Sequence, residues 1–359
     1  MGGRLKVSEI ARQTGVSIST VSRILAGKSN TSQANRQKVL ECARIQGVLP
    51  RLSGERILFN NVTVFAPKRA FDLRADIFYY KVVQGIRDAT AERAVRISFC
   101  AIEETDSDVP LFLRRMGDPA CEAAIIVGID DPRIHEVAAD IGKPCVLVNC
   151  RDRSMRLDAV LPDHFMIGEF SANYLIEMGH RQILSLMCLR RSTMERRLDG
   201  VREALSDHNM PFVSGKHLIV TSGFGAQESR EAIAEFFSAR TPDQRPTAIL
   251  AGGDFMAVGA KEALDALGIA VPGDVSIMSM DGFNLAEIHD VPLTAVHVPR
   301  DELGPEALRL LQHRLSHPDA PCSNLLLGGK LMVRSSVRRL GRRTVKAAVK
   351  TRDHGLYDA

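Results

Sequence analysis

From Val62 onward, short apolar runs alternate with stretches of helical periodicity, and this alternation leaves few folds open. The first runs are VTVFA, VRISFCA, AAIIVG and PCVLVN, with helical stretches at 76–92, 108–116 and 132–140 between them. After a helical stretch at 164–178 come QILSLM, HLIV, TAILA and VSIMSM, separated by helical stretches at 195–207, 226–238 and 254–266. Each run is apolar on both faces, as in parallel strands covered by helices on both sides. Such alternation predicts right-handed βαβ units and doubly wound sheets, an α/β class. Residues 62–337 are long for one sheet, and the break near 150–163 allows two lobes. Lobes of this kind bind small molecules at the carboxyl ends of their strands, in the crevice between them.

Residues 5–48 carry no strand pattern. Val7, Ile10, Ala11 and Thr14 fall at i, i+3, i+4 and i+7, one face of an amphipathic helix. Gly15 follows, where a helix end favours positive φ, and Val16 offers an apolar anchor in the turn. Ser17 is a good N-cap for a second helix from Ile18 to Leu25, which packs through Val21, Ile24 and Leu25. Ser32 is the N-cap candidate of a third helix carrying Arg36, Val39, Leu40 and Ala43. Two helices joined by so short a Gly-containing turn form a helix-turn-helix. The outer side of the second helix holds Ile18, Ser19, Ser22 and Arg23, in position to face base edges in a major groove. Arg23 can give two parallel hydrogen bonds to a guanine, and the hydroxyls of Ser17, Thr20 and Ser22 suit phosphate oxygens. A bare three-helix core with a solvated Ser/Arg face is the alternative.

Charge is distributed to match. Residues 1–60 carry ten Lys/Arg against three Asp/Glu, and residues 338–359 carry seven against two. Since the 359-residue chain totals only +4, residues 61–337 carry −8. Two basic ends flank an acidic body, which suits a polyanionic partner at the N-terminus. No stretch has the ~18 consecutive apolar residues of a membrane span, and MGGRLKVSEIARQTG has no signal-peptide core, so a cytoplasmic location is expected. The seven cysteines are scattered without CxxC or zinc spacing and read as reduced, mostly buried thiols. G-x-x-x-x-G-K, G-x-S-x-G and H-E-x-x-H are all absent. No enzyme activity, catalytic residue, metal or cofactor is expected.

The run KVSEIARQTGVSISTVSRILAG, continued by SQANRQKVL, resembles the opening of the LacI-type (LacI/GalR) family of bacterial transcriptional regulators. Later landmarks are similar to that family's sugar-binding core. They are YLIEMGHRQILSL, RRLDGVREAL, PTAILAGGDFMAVGA, VPGDVSIMSMD and PLTAV, in the family's order. The resemblance implies a helix-turn-helix head at 1–48 and a hinge or linker at 49–61. A two-lobed core resembling periplasmic binding proteins follows at 62–337, then a basic tail at 338–359. It implies a homodimer on a pseudo-palindromic operator, its DNA affinity controlled by a sugar-like effector. Ile18, Ser19 and Arg23 then read bases. Ser17, Thr20, Ser32, Asn35 and Arg36 sit where phosphate contacts or caps belong. The family's hinge helix wedges an apolar residue into the minor groove. Ile57 and Leu58 are the candidates, but Arg51 and Gly54 depart from the pattern, and a plain linker remains open.

For the effector, the resemblance implies Arg197 before Leu-Asp-Gly and Asp281 at the end of VSIMSM. Phe78, Tyr79 and Phe224 match aromatic positions, Ser192 lies in the loop before Arg197, and Asp254 opens a helix. A structural Arg197–Asp281 ion pair, core aromatics and a merely capping Asp254 are the competing readings. Gly253 and Gly282 replace residues that often bind ligand in the family, so ligand identity does not transfer. Two other functions stay open: a constitutive DNA-binding regulator, and an enzyme using Gly252-Gly253 as a phosphate cradle.

Overall fold

The computed structural model describes residues 2–26, 31–46, 48, 59–73, 76–91, 95–283 and 292–341. The hinge candidates Ile57 and Leu58, and the tail beyond 341, lie outside the described residues.

Three N-terminal helices, α1 (Gly2–Thr14), α2 (Ile18–Leu25) and α3 (Gln33–Ile45), close on one small core. That core holds Ile10, Val16, Val21, Ile24, Leu25, Val39 and Ala43, the residues that the helical spacing places on inner faces. Gly15 has φ +68°, which lets the chain turn from α1 into α2 without a Cβ penalty. Ser17 Oγ accepts from Thr20 N and Ser32 Oγ accepts from Asn35 N, so both serines cap as their sequence positions suggest.

The first lobe has β1 (Asn61–Ala66), α4 (Ile77–Ala91), β2 (Arg96–Ala101), α5 (Val109–Gly117), β3 (Ala123–Val127), α6 (Pro132–Asp140), β4 (Cys145–Val148) and β5 (Asp158–Pro162). The second has α7 (His164–Glu177), β6 (Ile183–Met187), α8 (Ser192–Asp207), β7 (Leu218–Val220), α9 (Ala226–Ser238), β8 (Ala248–Ala251), α10 (Asp254–Ala266), β9 (Ser276–Ser279) and β10 (Thr294–His297). The chain then returns to the first lobe as α11 (Arg300–Ser316) and β11 (Asn324–Leu327), and ends the second sheet with β12 (Lys330–Met332). The sheet orders are β11-β5-β4-β3-β1-β2 and β12-β10-β9-β8-β6-β7. All pairings are parallel except β10 with β12.

Each sheet is covered on both faces, which explains the unbroken apolar runs. In the first lobe α4 and α11 cover one face, and Phe112 of α5 and Ile134 of α6 fill the other. In the second, α7 and α8 lie opposite Ile233 and Phe237 of α9 and Ala257 and Leu264 of α10. The break expected near 150–163 contains β5, a strand of the first sheet. Its five residues include Asp158 and Pro162, which hide it in a polar stretch of sequence. The start of the tail is also less free than its composition suggests. Leu340 N donates to Met178 O (2.8 Å), and the Arg338 carbonyl lies 3.1 Å from His180 Nε2. The cysteines are free, and Cys100, Cys121, Cys145, Cys150 and Cys188 are buried. Among the described residues no helix is long and apolar enough to cross a membrane.

Helices α7 and α8 approach backbone to backbone. A Cβ at Gly168 would overlap the Arg197 carbonyl, and one at Gly200 would overlap the Phe165 carbonyl. Gly168→Ala is therefore expected to destabilise the chain by about 1–3 kcal/mol, read as a lower thermal midpoint. Gly117→Ala, where nothing lies within 4 Å, is the matched control and stays near wild type. Equal midpoints for both variants would contradict this packing.

Candidate functional site

In both sheets the strand order reverses beside the first strand, and ligands of doubly wound folds bind at such switch points. Between the lobes lies a cavity of about 500 Å³, a size that takes a small organic molecule. Its walls come from loops at the carboxyl ends of strands: Arg69 after β1, Asn149 after β4, Arg191 after β6, Phe224 after β7, Gly253 after β8 and Asp281 after β9.

Arg197 sits at the centre with 2% of its surface exposed. Its Nη1 donates to Asp281 Oδ1 (3.0 Å) and to the Gly252 carbonyl (2.8 Å). Its Nε donates to His164 Nδ1 (3.0 Å). Burial, with the Arg197 charge beside it, holds the His164 imidazole well below its ordinary pKa, so the ring is neutral. Since Nδ1 accepts, Nε2 carries the proton and donates to Asn149 Oδ1 (2.8 Å). The Asn149 amide then donates to Tyr79 Oη (2.9 Å). This chain of donors runs from the second lobe to the first.

Asp254 is buried beside Asp281. Its Oδ1 accepts from Ser279 Oγ and from Gly282 N (3.1 Å), while Oδ2 is buried without a hydrogen-bond partner. Burial, with the Asp281 charge second, pushes this carboxyl up to about 7. Arg300 donates to the Asp281 carbonyl and lies 3.5 Å from the centre of the Phe283 ring.

Of the effector residues read from sequence, Phe78, Tyr79, Arg197, Phe224, Asp254 and Asp281 all line the cavity. Ser192 does not: it is exposed at the start of α8, and Thr193 and Met194 face inward instead. Tyr79 lines the wall, but the Arg69 and Arg191 guanidinium groups lie 5.5 and 5.3 Å from its ring centre. Arg197 and Asp281 are paired and also face the cavity, so the ion-pair and ligand readings are compatible. Arg69, Asp76 and Arg191 were not legible. They lie in loops after strands: Arg69 pairs with Asp76 and Glu104 within the first lobe (2.9 Å each), and Arg191 reaches across from the second.

On the head, Ser17, Ile18, Ser19, Ser22, Arg23 and Ser32 are exposed, Ile18 at 59%. Thr20 and Asn35 are half-buried. Arg36 is placed differently. It is 3% exposed and faces Glu122 of the first lobe at 3.5 Å, away from the open side of α2.

Comparison with known proteins follows this division. Residues 6–47 match the model of bacterial regulatory proteins of the lacI family, and residues 172–337 match a periplasmic binding protein-like domain. The ribose operon repressor of Escherichia coli K12 is 25% identical over 336 residues, covering 92% of this chain and 99% of that protein. The transcriptional repressor CytR of the same organism is 27% identical over 341 residues, covering 93% and 96%. A solved regulator–cellobiose complex, CelR, superposes with a TM-score of 0.66 at 26% identity, covering 92% and 99%.

The raised Asp254 pKa has a definite stability signature. The carboxyl ionises at about pH 4 when unfolded but stays protonated up to about 7 when folded, so stability falls as pH rises across that window. Asp254→Asn keeps an Oδ1 acceptor and cannot ionise. Its stability relative to wild type is expected to rise between about pH 5 and about pH 8 in denaturant titrations. A pH-independent difference would contradict the assignment.

Proposed function

We propose that this chain, a LacI-family bacterial regulatory protein by its head and its binding core, is a cytoplasmic homodimeric repressor. A small-molecule effector, a sugar or sugar derivative, sets its operator affinity from the interlobe cleft. The observation that carries the reading is one chain joining an outward polar helix-turn-helix face to a buried Arg197–Asp281 pair in a two-lobed cavity. The relatives named as repressors, and the related structure holding cellobiose, support it.

In this reading Ile18, Ser19 and Arg23 meet base edges. Ser17, Thr20, Ser22, Ser32 and Asn35 serve phosphates or cap the helices that do. Arg36 joins them only by leaving Glu122. In the cleft, Arg197 and Asp281 grip ligand hydroxyls, and the Phe78 and Phe224 rings border its apolar face. The ligand shifts the lobe arrangement only to the extent that it binds the two arrangements unequally.

The test is selection of bound sequences from random duplex DNA by the purified protein without ligand. An enriched palindrome is expected, with half-sites about one helical turn apart. Arg23→Ala is expected to lose discrimination at one position per half-site by about 1–3 kcal/mol while keeping non-specific affinity. Enrichment of no symmetric motif, or an Arg23→Ala protein with the wild-type motif intact, would overturn the reading.

A further inference from the structure

The cleft is crossed by an ionic contact that the Arg197 site does not require. Arg191, between β6 and α8 of the second lobe, reaches into three adjacent loops of the first and is 5% exposed. Its Nε lies 2.8 Å from Asp130 Oδ2 and 2.9 Å from Glu104 Oε1, and its Nη2 donates to the Asn149 carbonyl (2.9 Å). Glu104 follows β2, Asp130 follows β3 and Asn149 follows β4. The Glu104 carboxylate also holds Arg69 (2.9 Å) and stands 3.6 Å from Arg190, which leaves the second lobe beside Arg191.

We propose that Arg191 is a positioning residue that latches the second lobe onto the first and holds the cleft closed with no ligand in it. Only its consequence at the DNA rests on the regulatory reading above. Three chain crossings join the lobes, at Pro162–Asp163, Val298–Pro299 and Gly328–Gly329, a connection that permits hinge motion. Besides the His164–Asn149 hydrogen bond (2.8 Å), the cleft is crossed by an apolar contact, Ile77 and Phe78 of the first lobe against Val258 and Phe283 of the second. Such a contact has no preferred register. The guanidinium fork does, because its donors point at acceptors on separate loops. Its cost is desolvation: burial and the neighbouring Arg69 pull Arg191 down to about 9, which leaves it charged at neutral pH. Opening the cleft returns Arg191, Glu104 and Asp130 to water. The latch is therefore reversible, and a ligand can work with it or against it.

Charge makes the latch sensitive to pH. Asp130 is pushed up to about 6 by burial and by the Glu104 charge, with Arg153 opposing. The charged groups facing the latch are Glu104, Asp130 and Asp76 against Arg69, Arg153, Arg190 and Arg191. Opening returns Asp130 to water and to the ordinary carboxylate range, so the closed cleft binds its proton more tightly and a fall in pH through about 6 favours closure.

Hydrogen exchange on the full-length, ligand-free protein tests this. Arg191→Met keeps the apolar stem and removes the fork. It is expected to speed exchange at residues 76–79 and 188–197 by more than about tenfold, with β3 and β8 unchanged. Unchanged exchange at those cleft segments overturns the proposal. If Arg191→Met speeds exchange in β3 and β8 as well, Arg191→Lys, which keeps the charge and loses the fork, decides. A smaller rise confined to the cleft supports the latch, and none overturns it. After correction for intrinsic exchange, opening of the wild-type cleft is expected to decrease between about pH 7.5 and about pH 5.5, because the closed cleft holds the Asp130 proton more tightly than the open one, and Asp130→Asn to be flat. A flat wild-type profile, or opening that increases toward acid, overturns a latch that buries Asp130. The comparison uses neither DNA nor effector, so it stands or falls apart from the regulatory reading.

Discussion

One side chain organises the cleft. Arg197 is among the largest fully buried side chains of the protein, and a buried guanidinium is tolerated only when its donors are matched. Its partners come from three separate segments of chain: His164 at the start of α7, Gly252 after β8 and Asp281 after β9. Meeting that requirement sets where those loops lie. The same requirement explains why α7 and α8 touch at glycines. His164 and Arg197 sit on neighbouring helices, and at this backbone-close crossing Nδ1 lies 3.0 Å from Nε. Through neutral His164 the constraint passes to Asn149 and Tyr79 of the first lobe.

The cleft is thus held by interactions of different character. The Arg197–His164–Asn149–Tyr79 chain fixes orientation, the Ile77/Phe78 contact supplies apolar burial, and the Arg191 contact supplies directional charge. A ligand entering the cavity meets Asp281, which is paired with Arg197, and beside it Asp254, whose carboxyl burial pushes up to about 7. Hydroxyl groups can exchange hydrogen bonds with both. The glycine at 253 leaves its Cβ position 3.0 Å from Asp281 Oδ2, so a side chain there would crowd the carboxylate. Gly282 has φ +66°, which suits the turn after β9 and explains why a larger residue is absent.

Much of this was legible in the sequence. Apolar runs such as AAIIV fixed the strands because central parallel strands must be apolar on both faces. The caps at Ser17 and Ser32 followed from local hydrogen bonding alone. Arg197 and Asp281 came from resemblance, and the structure brings them together at 3.0 Å. What escaped detection depends on distant pairing. Strand β5 is short and ends at Pro162, and its burial is set by β4 and β11 on either side. The return of the chain, α11 into β11, has no local mark that assigns it to the first lobe. Arg191 read as one more basic residue in a loop, because its partners lie 61 and 87 positions earlier. Arg36 likewise looked like an outward cation, and its partner Glu122 belongs to the other part of the chain.

Head and core already touch in this arrangement. Leu315 of α11 packs against the helix-turn-helix core, and Arg36 and Arg44 of α3 face Glu122 and Asp319. The central claim is that the cleft and the DNA-binding helix report on each other, and energetic coupling between two sites must be reciprocal. The most direct measurement is hydrogen exchange at the cleft segments 76–79 and 188–197 with and without a specific operator duplex. The account requires DNA to change exchange at those segments as well as in residues 2–46. Changes confined to residues 2–46 would contradict it, and would leave two folded modules that share a chain without regulating each other.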